Sequence, residues 1–243
     1  MSWIAYWNAK PTVYVNDRHR QVHYEAVARD IAAVLPGRTA RVVDYGCGEA
    51  LSAGLVADHC GHLYLCDGAE SVRARLVERW AGRASIRIIS PPQFEQLPDT
   101  SIDLIVVNSV VQYLSVLELQ RLLAIARRKL KPKGALLLAD IIPPSVGLLT
   151  DAAALLRFAA AHGFFLAAGA GLVRSFFSGY RRTRSELGLL RFKEKEIVDL
   201  LARSGFRALR HYPNLGHNQK RMALMATPQG EPFSATSGST TGA

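Results

Sequence analysis

The residues best suited to chemistry lie between Val42 and Ala50, in the order Val-Val-Asp44-Tyr-Gly46-Cys47-Gly48-Glu49-Ala50. A short β-type run meets a glycine turn there and leads into an apolar segment. Glycine belongs where a backbone must turn sharply and approach a ligand with no side chain between them. A second acid, Asp67, stands 19 residues beyond Gly48, followed by Gly68. An acidic side chain at that distance can accept hydrogen bonds from both hydroxyls of a ribose. The pair predicts a nucleoside over the ends of the first two strands. Charge narrows the choice of nucleoside. Asp44 and Glu49 flank the turn, and the G-x-G-x-A spacing departs from the dinucleotide G-x-G-x-x-G pattern. Two carboxylates beside a pyrophosphate would repel it by about a kcal/mol each or more. S-adenosylmethionine has no phosphate, and its ammonium and sulfonium favour carboxylate neighbours.

With these residues the chain resembles the class I S-adenosylmethionine-dependent methyltransferases, over about residues 17–142 and 191–227. Asp44, Gly46, Cys47 and Gly48 match the family's D-x-G-C-G-x-G motif, with Ala50 in place of the third glycine. The match implies contacts to the methionine part of the cofactor, and Asp67 matches the ribose-binding acid. Leu97-Pro-Asp-Thr-Ser-Ile-Asp-Leu-Ile-Val-Val-Asn108 looks like the family's L-P-x-x-S-F-D-L-V stretch. Aligning back from it implies that Gln93 hydrogen-bonds the adenine and that Phe94 stacks on it. Asn108, Ser109, Gln112 and Tyr113 are then expected on the methyl-transfer face. Lys131-Pro-Lys-Gly matches the motif before the fifth strand.

Methyl transfer from a sulfonium is an in-line displacement driven largely by orientation, so a dedicated base is optional. Candidates for one are His19, His23 and His217. His19 and His23 stand one helical turn apart and share a face; His217 lies in Gly-His-Asn-Gln-Lys-Arg221, between the last two strands. Tyr14 and Arg18 are candidate acceptor contacts in a lid. The spacing of the two N-terminal histidines lacks a carboxylate in phase, so no metal site is expected. The segment Asn108-Ser-Val-Val differs from the Asn-Pro-Pro-Tyr type turn of many base-modifying enzymes, which speaks against nucleic acid as acceptor.

The elements that must hold these residues follow from hydrophobic period. Apolar runs at 41–45, 63–66, 85–89, 102–108 and 135–142 alternate with helical patterns at 17–35, 50–59, 69–80 and 117–131, then a helix at 194–204 and strands at 207–212 and 221–227. Runs this apolar suit strands covered on both faces. An α/β, Rossmann-like doubly wound, mostly parallel seven-stranded sheet is expected, with a helical insertion after the fifth strand. The organisation read from this is an N-terminal helical lid at 1–40, a cofactor-binding core at 41–143, an apolar cap at 144–190, the closing helix and strands at 191–227, and a disordered tail at 228–243.

Within the insertion, residues 158–173 carry no charge over sixteen positions, and 174–184 then read RSFFSGYRRTR. A span needs about 17–25 apolar residues, and one crossing would separate the last strands from their sheet. A cap over the acceptor pocket is therefore preferred, with contact of 158–184 with an anionic membrane, or an oligomer contact, as alternatives.

The whole chain has 243 residues, 49% hydrophobic, ample for a core and too apolar for a disordered protein. Three cysteines cannot form a disulfide framework, and the N-terminus lacks a basic-then-apolar leader, so a reducing, cytoplasmic setting is expected. Net charge is +10, of which 41–143 contributes only +1, leaving +2 to 1–40, +3 to 144–190 and +4 to 191–243. That distribution predicts a small or amphipathic acceptor with an anionic part. The rival reading is a protein that binds the cofactor without catalysing transfer.

Overall fold

The computed structural model describes residues 3–9, 14–176 and 188–230. Seven strands form one sheet: β1 (Arg41–Tyr45), β2 (His62–Cys66), β3 (Ile86–Ile89), β4 (Ile102–Asn108), β5 (Leu130–Ile141), β6 (Phe206–His211) and β7 (Met222–Pro228). Their order is β3-β2-β1-β4-β5-β7-β6. The first five are parallel, while β7 runs antiparallel to both β5 and β6. The sheet is therefore mixed, a refinement of the mostly parallel arrangement expected. Between β1 and β4 the strand order reverses direction. Connections there diverge to opposite faces and open a crevice above the carboxyl ends of the strands.

Alternation along each strand builds two cores. On β1 and β4, Val43, Ile105 and Val107 join Leu119, Leu122 and Leu123 of α6 (Val116–Lys129) and Ile197 and Leu201 of α9 (Glu194–Arg203). Val42, Leu104 and Val106 point the other way, onto Val27 and Ile31 of α2 (Asp17–Ala33), Val56 of α3 (Ala53–Ala57) and Leu76 of α4 (Glu70–Trp80). A sheet with both faces covered needs apolar residues at successive positions, which is why these strands read as unbroken apolar runs.

Three elements depart from the pattern read in the sequence. α3 is only five residues long, because the glycine turn extends further into the segment expected to be helical. β5 begins at Leu130, where Leu130 pairs with Ile102 before a shift brings Ala135 opposite Leu104, so the Lys-Pro-Lys-Gly segment is a bulged strand start and not a helix stop. A short α5 (Pro91–Glu95) was not expected; Ser90 and Gln93 form a reciprocal cap at its start.

The insertion is helical, as expected, in α7 (Leu148–His162) and α8 (Phe165–Phe176), separated by Gly163. It forms a third, small cluster in which Ala159, Phe164 and Ala168 meet Val22 of α2. A first helix, α1 (Trp3–Asn8), lies against α4. Among the described residues no helix is long and apolar enough to cross a membrane. Residues 177–187 of the insertion and 231–243 of the expected tail lie outside the described residues.

Candidate active site

At the end of β1 the chain turns through Gly46 (φ +74°) and Gly48 (φ +58°), backbone conformations that side chains rarely adopt. A Cβ on Gly46 would lie 2.2 Å from Val110 Cγ2, and one on Gly48 would lie 2.8 Å from the Tyr24 hydroxyl. Gly46 N–H donates to the Cys66 carbonyl at 2.7 Å, tying the turn to the end of β2. Asp67 accepts from Gly48 N–H at 3.1 Å and from Ala69 N–H at 2.8 Å, so the second acid also holds the first turn in shape. Ala50, where the family motif has glycine, takes φ +40°. The bend persists, with the strain carried by an alanine.

The Asp44 side chain lies at the start of this turn and accepts no hydrogen bond among the described residues. Burial, and then the charge of Asp67, push its carboxyl up to about 7. Beside it, at the end of β4 and in the short 3-10 turn after it, Asn108 Oδ1 and Gln112 Oε1 are buried without hydrogen-bond partners. Asn108 ends β4, the strand that pairs with β1 beside Asp44. Cys47 is buried and its thiol is pushed up by that burial, so it packs and does not act as a nucleophile.

Two residues on α2 that sequence reasoning passed over complete the rim. Tyr24 accepts from Glu49 N–H at 2.9 Å and hydrogen-bonds Tyr14, and Arg20 pairs with Glu49 at 3.4 Å while its Nε is buried without a partner. Their four-residue spacing was the available signal, since it sets both on one helix face. α1 closes the other side: Asn8 accepts from Ser71 N–H, Trp7 meets Tyr113 edge-on at 5.8 Å, and Ile4 lies over Gly68.

The remaining site residues separate into two groups. Phe94 does not present a stacking face: it is fully buried, edge-on to Tyr45, anchoring α5 to the core. The Gln93 side chain is held at the α5 cap, where its Oε1 accepts from Ser90 N–H and Oγ. Arg18 is exposed and reaches the His162 carbonyl, joining α2 to α7 outside the crevice. By contrast His19, His23 and His217 come together, with ring centroids 6.2 to 6.4 Å apart and Tyr14 beside the first two. Burial holds His19 at about 4 and His23 at about 3, and lowers His217 as well. All three are neutral imidazoles at physiological pH.

Below them is a cleft of about 80 Å³ at the ends of β4 and β5. Of its floor, Ser109 was expected from the sequence, and Asp140, Asp151 and Arg221 were missed. Ser109 (φ +59°) and Asp140 (φ +60°) both hold strained left-handed backbones, and Ser109 Oγ donates to Asp140 Oδ2 at 2.7 Å. Arg221 bridges Asp140 at 2.7 Å and Asp151 at 3.1 Å. Among the described residues no group of three or more histidine, cysteine or acidic side chains is placed to hold a metal ion.

This sheet order, with one antiparallel strand beside β5 and a glycine turn at the reversal point, defines a Rossmann-like methyltransferase fold. Residues 43–138 match the family model described as a methyltransferase domain. The match spans under half of the chain, and it marks a methyltransferase-type domain within the Rossmann-like sheet. Among solved structures, magnesium protoporphyrin IX methyltransferase from Synechocystis with bound S-adenosylhomocysteine is 16% identical, with 94% of this chain and 96% of that one covered at a TM-score of 0.58. The mitomycin 7-O-methyltransferase is 18% identical over 95% of this chain and 61% of its own, at 0.60. A phosphoethanolamine N-methyltransferase from Haemonchus contortus is 26% identical over 60% of this chain, which spans only 32% of that protein's length, at 0.49. No curated protein matches the sequence.

Proposed function

We propose that this enzyme holds S-adenosylmethionine over the β1 and β2 ends and transfers its methyl group to a small or amphipathic acceptor in the cleft above β4 and β5. The observation that carries the cofactor assignment is the partnerless, desolvated Asp44 carboxylate, with Asn108 Oδ1 and Gln112 Oε1 near it. A surface of acceptors suits an ammonium and a sulfonium and repels phosphate. Gly46, Cys47 and Gly48 give backbone access, and Asp67 has lone pairs left for ribose hydroxyls. Gly68, under Ile4, borders the ribose, and Ser109 stands where the two ligands would meet. Arg20 Nε and the Tyr24 hydroxyl are donors for the carboxylate of the methionine part. When bound, the cofactor supplies an activated methyl group; these side chains orient it and exclude water.

The acceptor assignment draws on Phe158 and Phe164, whose rings stack against His217 and His19 above the cleft. A roof of this kind favours a ligand with a sizeable apolar part. The three neighbours named above act, by their names, on chemically unrelated acceptors, and none of them decides the acceptor here. Contact with a membrane surface through 158–184 is a second reading, favoured by Phe165 and Leu166 standing 51% and 87% exposed at the start of α8. Sedimentation with anionic vesicles, reversed by salt, supports that reading, and no sedimentation removes it.

Calorimetric titration with S-adenosylhomocysteine tests the cofactor assignment. The wild type is expected to bind, and Asp67→Ala to bind at least about tenfold more weakly, because both the ribose contact and the Gly48 anchor are lost. Absence of binding to wild type, or undiminished binding by the variant, overturns the assignment.

A further inference from the structure

The two side chains that the motif resemblance sets against an adenine are committed elsewhere. Phe94 is buried in a sheet-face core, and Gln93 Oε1 accepts from Ser90 at the cap of α5. A ligand of nucleoside size is bound with about 70–90% of its surface covered, mostly by apolar and aromatic side chains. Another element must then enclose the base, and α1 is placed to do so.

Ile4, Trp7 and Asn8 stand three and four residues apart and share one face of α1. That face is turned to the strand ends. Asn8 Oδ1 accepts from Ser71 N–H at 3.2 Å, and Ser71 Oγ donates to the Asn8 carbonyl at 3.2 Å, which fastens α1 to the start of α4. Ile4 Cδ1 lies 3.5 Å from where a Cβ on Gly68 would stand. The loop beneath is held in place, since Arg73 donates to the Asp67 and Gly68 carbonyls at 2.9 and 3.0 Å. Ile4 and Asn8 thus rest on the β2 side, whereas Trp7 meets Tyr113 in the turn after β4, with ring centroids 5.8 Å apart. β1 stands between β2 and β4, so the indole bridges the end of β1, and it packs on the cluster that includes Cys47 and Ala69. Ile4 is still 55% exposed beside the acid assigned to the ribose. Apolar area in that position is area that a bound base can cover.

We infer that Ile4 and Trp7 form the roof over the adenosine half of the cofactor, in the place that the motif gave to Gln93 and Phe94. The inference rests on the S-adenosylmethionine reading and names the element that recognises its nucleoside. Apolar and aromatic side chains meet the face of a flat base, so the roof acts on the adenosine and not on the amino-acid half.

Two ligands separate those halves: S-adenosylhomocysteine carries both, and methylthioadenosine carries the adenosine and thioether without the amino acid. By calorimetry Trp7→Ala should weaken both ligands about tenfold, and Trp7→Phe, which keeps an aromatic ring, should bind both within about threefold of wild type. Ile4→Ala should weaken both about threefold. Ser71→Ala loosens α1 without altering the roof, and should weaken both about twofold. Of the three tryptophans, Trp3 and Trp80 can be replaced together by phenylalanine, leaving Trp7 as the reporter. Its emission should shift, and its quenching by acrylamide fall, as either ligand saturates the protein. Wild-type affinity in both Trp7→Ala and Ile4→Ala, or Trp7 emission unmoved by bound ligand, overturns the inference. A loss confined to S-adenosylhomocysteine also overturns it, because α1 would then cover the amino-acid half. Failure of the cofactor reading itself is seen separately, as wild type that binds neither ligand.

Discussion

Asp44 is a side chain costly to the fold that the proposed function puts to use. Its carboxyl titrates near 3.8 in the unfolded chain and at about 7 in the folded one, through burial first and Asp67 second. Between those values the folded state binds the extra proton, so the Asp44 contribution to stability falls as pH rises from about 4 to 7 and stays low above that. Asparagine escapes that loss. Asp44→Asn is expected to melt at a higher temperature than wild type at pH 8 in the absence of ligand, yet to bind S-adenosylhomocysteine at least about tenfold more weakly. Wild-type affinity should weaken as pH falls below about 7, where Asp44 becomes neutral, and the variant's should not; melting curves and calorimetry across pH check both. Residues such as Asp44 and Asp67 were legible because the motif that carries them is local in sequence. Arg20 and Tyr24 were not, since their reach to Glu49 depends on where α2 lands. Phe94 was misjudged for the same reason: only the packing of α5 decides whether its ring faces a ligand or the core. His19 and His23 were legible as a pair on one helix face, but the approach of His217, almost two hundred residues away, is a product of the sheet.

The element that matters most is the turn from β1 into α3. Gly46→Ala would place a methyl 2.2 Å from Val110 Cγ2 on a backbone at φ +74°, so either the turn or the segment after β4 must move. The left-handed backbone alone costs about 1–2 kcal/mol for a non-glycine residue. Gly46→Ala is expected to lose at least that much in urea unfolding and to bind S-adenosylhomocysteine too weakly to measure, since both cofactor-facing strand ends are displaced. Ala50 tests the opposite change. It already sits at φ +40°, and Ala50→Gly should gain up to about 1 kcal/mol by relieving strain, without loss of cofactor affinity. Strands were read from the sequence within a residue or so where both faces are buried, as in β1 and β4. Boundaries failed where chain geometry, not composition, decides: β5 starts five residues early through a bulge, and α5 begins on two prolines. The Ser90-Pro-Pro-Gln93 cap was its available signal.

At the scale of the whole molecule, the two cores on the faces of the sheet are distinct from the small cluster that seats the insertion on α2. The charge distribution is consistent with that division: nine of the ten excess charges lie outside residues 41–143. Outer basic side chains are used to fasten the periphery, as Arg210 does on Glu194, Arg191 on the Val146 carbonyl and Arg18 on the His162 carbonyl. Stability should divide in the same way. Phe206 is fully buried in a sheet-face core, and Phe206→Ala should cost about 3–5 kcal/mol of global stability. Phe164 is nearly as buried, but its partners are His19, Phe158 and Val22 in the separate cluster. Phe164→Ala should therefore lower global stability by less than about 1 kcal/mol while loosening the seat of α7 and α8. Two measurements follow the loosening: faster amide exchange confined to those helices, and an upward move of the His19 titration from about 4 toward the ordinary 6.5, because burial is what depresses it. Equal global losses from the two substitutions would show that the cap and the sheet unfold as one unit, and the roof proposed for the acceptor would then have no independent motion through which to admit a ligand.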